Sequence, residues 1–520
     1  MKILGIHSLT HDSGVCLYKN GKIAYALEEE RLSRIKHHPG IEIEGKPPLL
    51  SLSWTLKEAN LQLKEIDKFV HVGWKGDKFM KLDLARDRFR DFAKSLDPDT
   101  TRTSFVPHHK AHAASAYYAS GFDDALVLVV DGAGDWTSTS LYIGEGRELR
   151  KVDEYPPDQS LGFLYSKAAK IIGLGDFGFG EGKMTALAAY GTQIHGFPQI
   201  IKTNDGKYTI EQDYFDHFMK YKKENGELTQ SQKDFAFMVQ TALENAIIDI
   251  LNFAHNKYGK TKIAFSGGVA LNCRLNGKIS ALPWVDDFFI QAGANDCGLC
   301  LGAAYLGAVE SGEPITKMSD SYLGPDIKDE DVGSFVKSNK LRAKKLNDVA
   351  KACAELISEG KIVGFMHGRL EFGPRALGHR SLLGDPRNID VRDKLNIIKQ
   401  REPWRPVAPA IVDSDKQYCQ LSKATEFMTK ALPMNELAIK EIPAALHVDN
   451  TARVQVVRNK DDLFYTVIRE FENITSIPAI LNTSLNSKGE PLCASIEDGV
   501  KFFFTTPTDY LIIDKWLIEK

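Results

Sequence analysis

The chain contains no run of about 18 consecutive apolar residues, so nothing in it reads as a membrane-spanning helix. Its first residues, Met1-Lys-Ile-Leu-Gly-Ile-His7, lack the long apolar stretch and small-residue cleavage site of a signal peptide. Cysteine is sparse: seven residues, an odd number scattered from Cys16 to Cys493, do not make a disulfide framework. Together these absences favour a reducing, cytoplasmic setting. Net charge is nearly absent as well. A formal charge of −3 gives no broad electrostatic reason to bind nucleic acid or an anionic surface, so any anion site must be local. What is present is ordinary for a folded protein: 43% hydrophobic and 26% charged residues, which excludes a largely disordered chain. A length of 520 residues leaves room for two large domains or three smaller ones.

The most informative stretch is Val106-Pro-His-His-Lys-Ala-His-Ala-Ala-Ser115, followed by the apolar run Leu126–Val130 and then Asp131-Gly-Ala-Gly134. If Lys110–Ser120 is helical, His108 and His112 lie one turn apart on one face and form a two-point metal clamp. The run Leu126–Val130 is short, β-branched and bounded by turn formers, so it reads as a buried strand that delivers Asp131 at its carboxyl end. Two imidazoles and a carboxylate suit a borderline divalent metal, and ligand type alone does not choose between iron and zinc.

Upstream, Lys2–Ile6, Val15–Tyr18 and Ile23–Leu27 read as a β-meander with a polar turn, His7–Gly14, and a hairpin at Asn20-Gly21. Leu126–Gly134, continuing through Ser138–Tyr142, repeats that pattern. The charged run Glu28–His37 reads either as the solvated start of a helix or as a segment whose Lys36 and His37 face an anion. Gly173–Gly182 carries five glycines ahead of Lys183, which suits a loop whose backbone approaches a ligand, with Lys183 adding charge. Gln230–Tyr258 reads as a long amphipathic helix. Ile263–Phe265 then runs as a strand into Ser266-Gly-Gly-Val-Ala-Leu-Asn272, a turn fit to hold phosphate or ribose. Asp296 follows another strand-like run, Phe288–Gln291, and is presented much as Asp131 is. Cys297-x-x-Cys300 has no second pair to complete a zinc site and reads as helix packing.

A change in composition at Ser319–Val332 marks a linker, after which the pattern restarts with a helix at Val349–Ser358 and a strand at Ile362–Phe365. The loop Gly368–Ser381 sets Arg369, Arg375 and Arg380 among glycines, which suggests phosphate recognition. Polar groups then recur at strand ends, where α/β domains build sites: Lys399-Gln-Arg401, Trp404-Arg-Pro406, His447–Arg453 before Val454–Val457, Leu481–Asn486 after Ile477–Leu481, and Thr505–Asp509 before a final strand at Leu511–Ile513.

With these motifs in view, the turn His11-Asp12-Ser13-Gly14 resembles the first phosphate-binding hairpin of the actin-like and sugar-kinase ATPase superfamily. The whole chain resembles the carbamoyltransferase family of nodulation-factor and antibiotic-tailoring enzymes, the NodU and TobZ type. The resemblance is carried in order by Glu28–His37, Pro107–His112, Glu181–Met184, Ser266–Asn272, Glu371–Gly378, Arg401–Pro406, His447–Asp449 and Asn482–Asn486. It implies an α/β protein: a duplicated actin-like ATPase-fold domain over residues 1–340, like that of threonylcarbamoyl-transfer proteins, then a YrdC-like α/β domain over 341–520. Carried over residue by residue, it implies that His108, His112, Asp131 and Asp296 hold a divalent metal, iron in the family's usual form, with zinc or manganese as alternatives. It puts His11 and Lys36 at the transfer site and Gly182, Lys183, Gly267, Gly268 and Asn272 beside the nucleotide. Lys399, Arg401, Arg453, Ser484 and Asn486 match contacts to carbamoyl phosphate and ATP. Leu485 stands where Phe is expected, and His379 where Asn is expected.

The implied reaction is O-carbamoyl transfer. Carbamoyl phosphate and ATP, the latter with Mg, would give carbamoyladenylate and pyrophosphate in the second domain. The carbamoyl group would then pass to a hydroxyl of a small-molecule natural product, releasing AMP, with neither nucleic acid nor membrane as partner. Two alternatives from other classes are a tRNA threonylcarbamoyl-type modification enzyme, which would want a broad basic surface, and an ATP-binding regulatory protein of actin-like fold.

Overall fold

A computed structural model describes residues 1–73, 83–224 and 226–520. The chain separates into two units, the first comprising Met1–Glu29 with His37–Ser319 and the second Glu30–Lys36 with Asp320–Lys520.

The first unit is built twice over on one plan. In one half, strands β1 (Lys2–His7), β2 (Gly14–Lys19) and β3 (Lys22–Glu28) form an antiparallel meander, and β4 (Lys68–Val72) and β5 (Thr103–Val106) extend it in parallel, in the order β3-β2-β1-β4-β5. In the other half, β6 (Asp124–Gly134), β7 (Thr137–Glu145) and β8 (Glu148–Tyr155) form the meander. Strands Lys262–Ser266 and Asp287–Phe289 extend it in parallel on the other side of β6. Strand order and direction therefore repeat, as expected of a duplicated actin-like domain. Leu126–Val130 at the centre of the second sheet is fully buried, which is why it reads as one continuous apolar run.

Each fifth strand leads toward a helix, His108–Ser120 in one half and Leu299–Glu310 in the other. The first is rich in Ala and the second in Ala and Gly, and they approach so closely that a Cβ on Gly302 would lie 1.8 Å from the carbonyl oxygen of Ala111. The long helix Gln230–Tyr258 has the bounds its periodicity predicts, because Thr229 and Gln232 form a capping box at one end and Gly259 closes the other in left-handed conformation.

The second unit is α/β around an eight-stranded mixed sheet. Strand Val363–Met366 pairs in parallel with Tyr510–Ile513 and antiparallel with Arg380–Gly384, and Ala479–Ser484 pairs antiparallel with both Arg380–Gly384 and Ala408–Ile411. Helices Val349–Ser358 and Leu463–Thr475 pack their apolar faces into its core. Tyr510–Ile513 is not the last strand: it turns back into Trp516–Ile518.

The charged run Glu28–His37 is not a solvated helix start. Glu28, Glu29, Glu30 and Arg31 are all buried, and Glu29 accepts the backbone N–H groups of Leu50 and Ser51 at the start of helix Leu49–Glu58. Within the second unit, Arg31 donates to the Gly373 carbonyl at 2.6 Å and Arg34 to the Pro491 carbonyl at 2.9 Å. Charge in this stretch is spent on holding backbone in place.

His71 on β4 is fully buried against Phe89, Phe92 and Phe105, and neither ring nitrogen has a hydrogen-bond partner among the described residues. Burial lowers its pKa to about 4. The unfolded chain takes up this proton near pH 6.5, whereas the folded chain refuses it until about pH 4, so stability is lost as the pH falls through that window, by about 1.4 kcal/mol per pH unit. In urea unfolding at pH 7 and pH 5, His71→Leu is expected to reduce the acid-induced loss by about 2 kcal/mol; an unchanged loss would place the sensitivity elsewhere.

Candidate functional site

The four residues picked out by spacing meet in the first unit. His108, His112, Asp131 and Asp296 are all buried, and each offers a ligand atom within 4.8 Å of the others. His108 Nε2 lies 3.3 Å from Asp131 Oδ2 and 3.7 Å from Asp296 Oδ1; His112 Nε2 lies 3.7 Å and 3.3 Å from the same two atoms. Ligand atoms about 2.0–2.2 Å from one tetrahedral cation sit roughly 3.3–3.6 Å apart, so the spacing fits a metal.

Local sequence explains the geometry. Pro107 starts the helix in extended conformation, and Asp135, at the tip of the β6–β7 hairpin, accepts the His108 N–H. The two imidazoles then follow one turn apart. In β6 the ladder to β7 breaks between Val130 and Gly134, a bulge that takes Asp131 out of regular pairing. Gly134 lets the His108 ring pass: a Cβ there would lie 2.3 Å from two ring atoms. Around this core each ligand is held from behind. His112 Nδ1 bonds Ser266 Oγ at 3.2 Å, Asp131 Oδ1 accepts the Gly268 N–H at 2.9 Å, and Thr10 Oγ1 donates to Asp296 Oδ2 at 3.0 Å.

The electrostatics match. Burial opposes a charged His112 ring, yet the two carboxylates outweigh it and push its pKa up to about 9. Burial likewise opposes ionisation of Asp296, but His11 and His108 hold it down to about 2; His108 and His112 hold Asp131 well below the usual range. Two buried carboxylates are being neutralised by imidazoles, which is work a divalent cation can do.

His11 sits on the β1–β2 turn, Nδ1 3.0 Å from Asp12 Oδ2 and Nε2 3.8 Å from Asp296 Oδ2. Burial lowers its pKa, but Asp296 and Asp12 raise it further, to about 10, so without a cation on Asp296 the ring holds its proton at neutral pH. His7, which the motif reading passed over, also faces this cluster, 3.9 Å from Asp296 Oδ2, and burial holds its pKa near 4. Its signal was its place at the end of β1, where the equivalent second strand set delivers Asp131. Lys36 falls with the second unit and pairs with Glu30 at 2.9 Å.

Of the nucleotide-side residues, Gly267 has a positive φ and Gly268 turns its N–H to Asp131. Gly182 opens onto free space in the first turn of helix Glu181–Leu187. Lys183 Nζ donates to the Leu174 carbonyl in its own glycine-rich loop. Asn272 is committed to the fold: it caps helix Cys273–Ser280 and exchanges two hydrogen bonds with Gln240. Cys297 and Cys300 are buried free thiols, and Cys300 Sγ bonds the Cys297 carbonyl.

In the second unit, Lys399 follows helix Ile389–Ile398 and meets Ser484 Oγ at 3.1 Å and Asn486 Oδ1 at 2.5 Å, with both carbonyls also in range. Burial and then Arg401 lower its pKa well below normal. Arg401 bonds Asn396 Oδ1 through Nε, and its Nη2 atom is buried with no hydrogen-bond partner among the described residues. Burial, Arg405 and Arg453 push its pKa down to about 9. Arg405, absent from the site residues chosen by sequence, belongs to this cationic group, since burial and Arg453 lower its pKa against the pull of Glu402. Its signal was the Trp404-Arg-Pro406 motif. By contrast, Arg380 gives its donors to the carbonyls of His367, Gly368, His379 and Pro325, and Arg369 to those of Leu323 and Gly324. Those two arginines build the loop instead of reading phosphate. They wrap it around Glu371, whose Oε1 accepts the N–H groups of Leu377, His379 and Arg380.

Comparison with known proteins agrees with this organisation. The family description "Carbamoyltransferase N-terminus" matches residues 2–101 and 92–305, and "Carbamoyltransferase C-terminus" matches 354–520. Nodulation protein NolNO of Sinorhizobium fredii is 34% identical over 554 residues, covering 99% of this chain and 80% of that protein. Nodulation protein NolO of Bradyrhizobium diazoefficiens is 34% identical over 432 residues, covering 79% and 78%. Among solved structures, full-length HypF in its phosphate- and nucleotide-bound form is similar over 59% of this chain and 55% of that one, at 16% identity and a TM-score of 0.38. With both family descriptions matched and such relatives along nearly its whole length, the chain belongs to the carbamoyltransferase family, which supports transfer of a carbamoyl group.

Proposed function

We propose that this protein is an ATP-dependent O-carbamoyltransferase that works in two steps, one per unit. The observation that carries the reading is the presence, in one chain, of two sites of opposite charge: a buried carboxylate–imidazole cluster and a half-buried guanidinium cluster.

In the second unit, a YrdC-like domain on this reading, carbamoyl phosphate loses its phosphate to water. The freed carbamate oxygen attacks the α-phosphorus of Mg-bound ATP, and pyrophosphate leaves. Arg401, Arg405 and Arg453 neutralise phosphate charge, with the partnerless Arg401 Nη2 as one arm of the clamp. Lys399 organises Ser484 and Asn486 around them.

In the first unit His108, His112, Asp131 and Asp296 would hold a divalent metal, iron on the family's pattern. Bound there, it would act as a Lewis acid on the carbamoyl carbonyl and take up the charge of both carboxylates. Gly182 leaves backbone open to approach the adenylate, while Gly267 and Gly268 turn the chain tightly past Val130 and Asp131. His11, relieved of the Asp296 charge, is placed to accept the proton of the attacking hydroxyl at Nε2, with Asp12 orienting Nδ1. The products are an O-carbamate of a small hydroxylated natural product and AMP.

The reading requires AMP formation that depends on both ATP and carbamoyl phosphate; AMP release from ATP alone would refute it. His108→Ala with His112→Ala is expected to strip the first-unit metal, and elemental analysis showing that ion retained would show the ligand assignment wrong. Arg401→Ala is expected to abolish carbamoyl-phosphate-dependent pyrophosphate release, since it removes a charge-assisted bond worth about 1.5–3 kcal/mol, while chemically supplied carbamoyladenylate is still used. His11→Asn should leave pyrophosphate release near normal and slow transfer at least about a hundredfold. Transfer within a few-fold of wild type would reduce His11 to a positioning role.

A further inference from the structure

A second group of potential ligands lies in the second unit, apart from the guanidinium cluster. His367 follows strand Val363–Met366, and His379 precedes its antiparallel partner Arg380–Gly384, so the two histidines are neighbours at one end of the sheet. The His367 N–H bonds the His379 carbonyl at 3.2 Å, and the ring centroids are 4.0 Å apart. Asp462 caps helix Leu463–Thr475 and is brought to the same point, its Oδ1 accepting the Phe464 N–H at 2.8 Å. All three side chains are more than nine-tenths buried, with exposures of 7%, 6% and 8%.

Their hydrogen bonds leave the right atoms facing inward. His379 Nδ1 donates to the Arg369 carbonyl at 2.7 Å, so in the neutral ring the Nε2 lone pair points at Asp462 Oδ2, 3.2 Å away. Tyr322 stacks on that ring at 3.5 Å and 4°, and keeps it from rotating. His367 Nε2 lies 3.6 Å from Asp462 Oδ1 and makes no hydrogen bond among the described residues. Two ring nitrogens and a carboxylate converge here out of water, and the separations of 3.2 and 3.6 Å are those of ligands sharing one cation.

We propose that His367, His379 and Asp462 form a second divalent-metal site, of two imidazoles and one carboxylate, suited to a borderline cation such as Zn²⁺. With three protein ligands it keeps a coordination position open. It ties the ends of the loop built around Glu371 to the start of helix Leu463–Thr475.

The test uses the full chain, stripped with chelator, dialysed against Zn²⁺ and analysed for bound zinc. Wild type is expected to hold one equivalent more than His367→Gln with His379→Asn. The His108→Ala, His112→Ala variant is expected to keep one equivalent, and to lose it when His367→Gln and His379→Asn are added. Asp462→Asn preserves the helix cap while removing the charge, so it covers the case in which the double histidine variant does not fold; it too should bind one equivalent less. Thermal unfolding should show zinc raising the melting temperature of the His108→Ala, His112→Ala variant and not that of the fourfold variant. Equal zinc content with and without the His367, His379 and Asp462 changes overturns the proposal, whatever the first-unit cluster binds.

Discussion

Burying a carboxylate costs several kcal/mol unless an opposite charge is held against it, and the first unit buries two of them face to face. Asp131 and Asp296 are each kept ionised by nearby imidazoles, and each has its outer oxygen tied, one to the Gly268 N–H and the other to Thr10. Much of the surrounding architecture serves to make this arrangement tolerable. The bulge in β6, the Gly134 cradle for His108 and the Asp135 cap on the histidine helix all fix groups that would repel or reorient if left loose.

Duplication is what supplies four converging segments from two simple folds. The turn after the first strand delivers His11 and Thr10 in one half, and the bulge near the end of the equivalent strand delivers Asp131 in the other. The segment after the fifth strand delivers His108 and His112 in one half and Asp296 in the other. Equivalent positions thus carry complementary chemistry: bases on one side, acids on the other. Close packing of the two following helices at Gly302 and Ala111 makes that convergence rigid.

The second unit faces the converse problem. Arg401, Arg405 and Arg453 are half-buried near one another, and their mutual repulsion lowers the hold of Arg401 and Arg405 on their protons. On the proposed function, a phosphate-bearing ligand would relieve this repulsion, and the unfavourable charge would then contribute to binding once the anion arrives. The neighbouring loop around Glu371 shows the opposite use of arginine. Arg380 is fully buried, but its Nη donors are spent on main-chain carbonyls, and it holds shape.

Local physics was legible from the residues alone. The helices Gln230–Tyr258 and Val349–Ser358 have the bounds their periodicity and caps indicate, the β-meander and its repeat are present, and the one-turn spacing of His108 and His112 predicted two ligands on one face. Residue chemistry set the two kinds of site, acidic–imidazole and guanidinium. Tertiary structure decided which charges are free to act. Glu28–Arg31 read either as a solvated helix start or as part of an anion-facing segment and is buried, because a run of charges carries no record of the carbonyls and N–H groups it will meet. Arg369 and Arg380 looked like phosphate ligands and are loop supports, while Arg405 joins Arg401 and Arg453 across a separation of some fifty residues. The same holds for His367, His379 and Asp462, which no spacing rule connects. Helix and strand propensities act over a few neighbours and can be read in sequence, whereas burial and electrostatic partnership are set by long-range packing and appear only once the chain is folded.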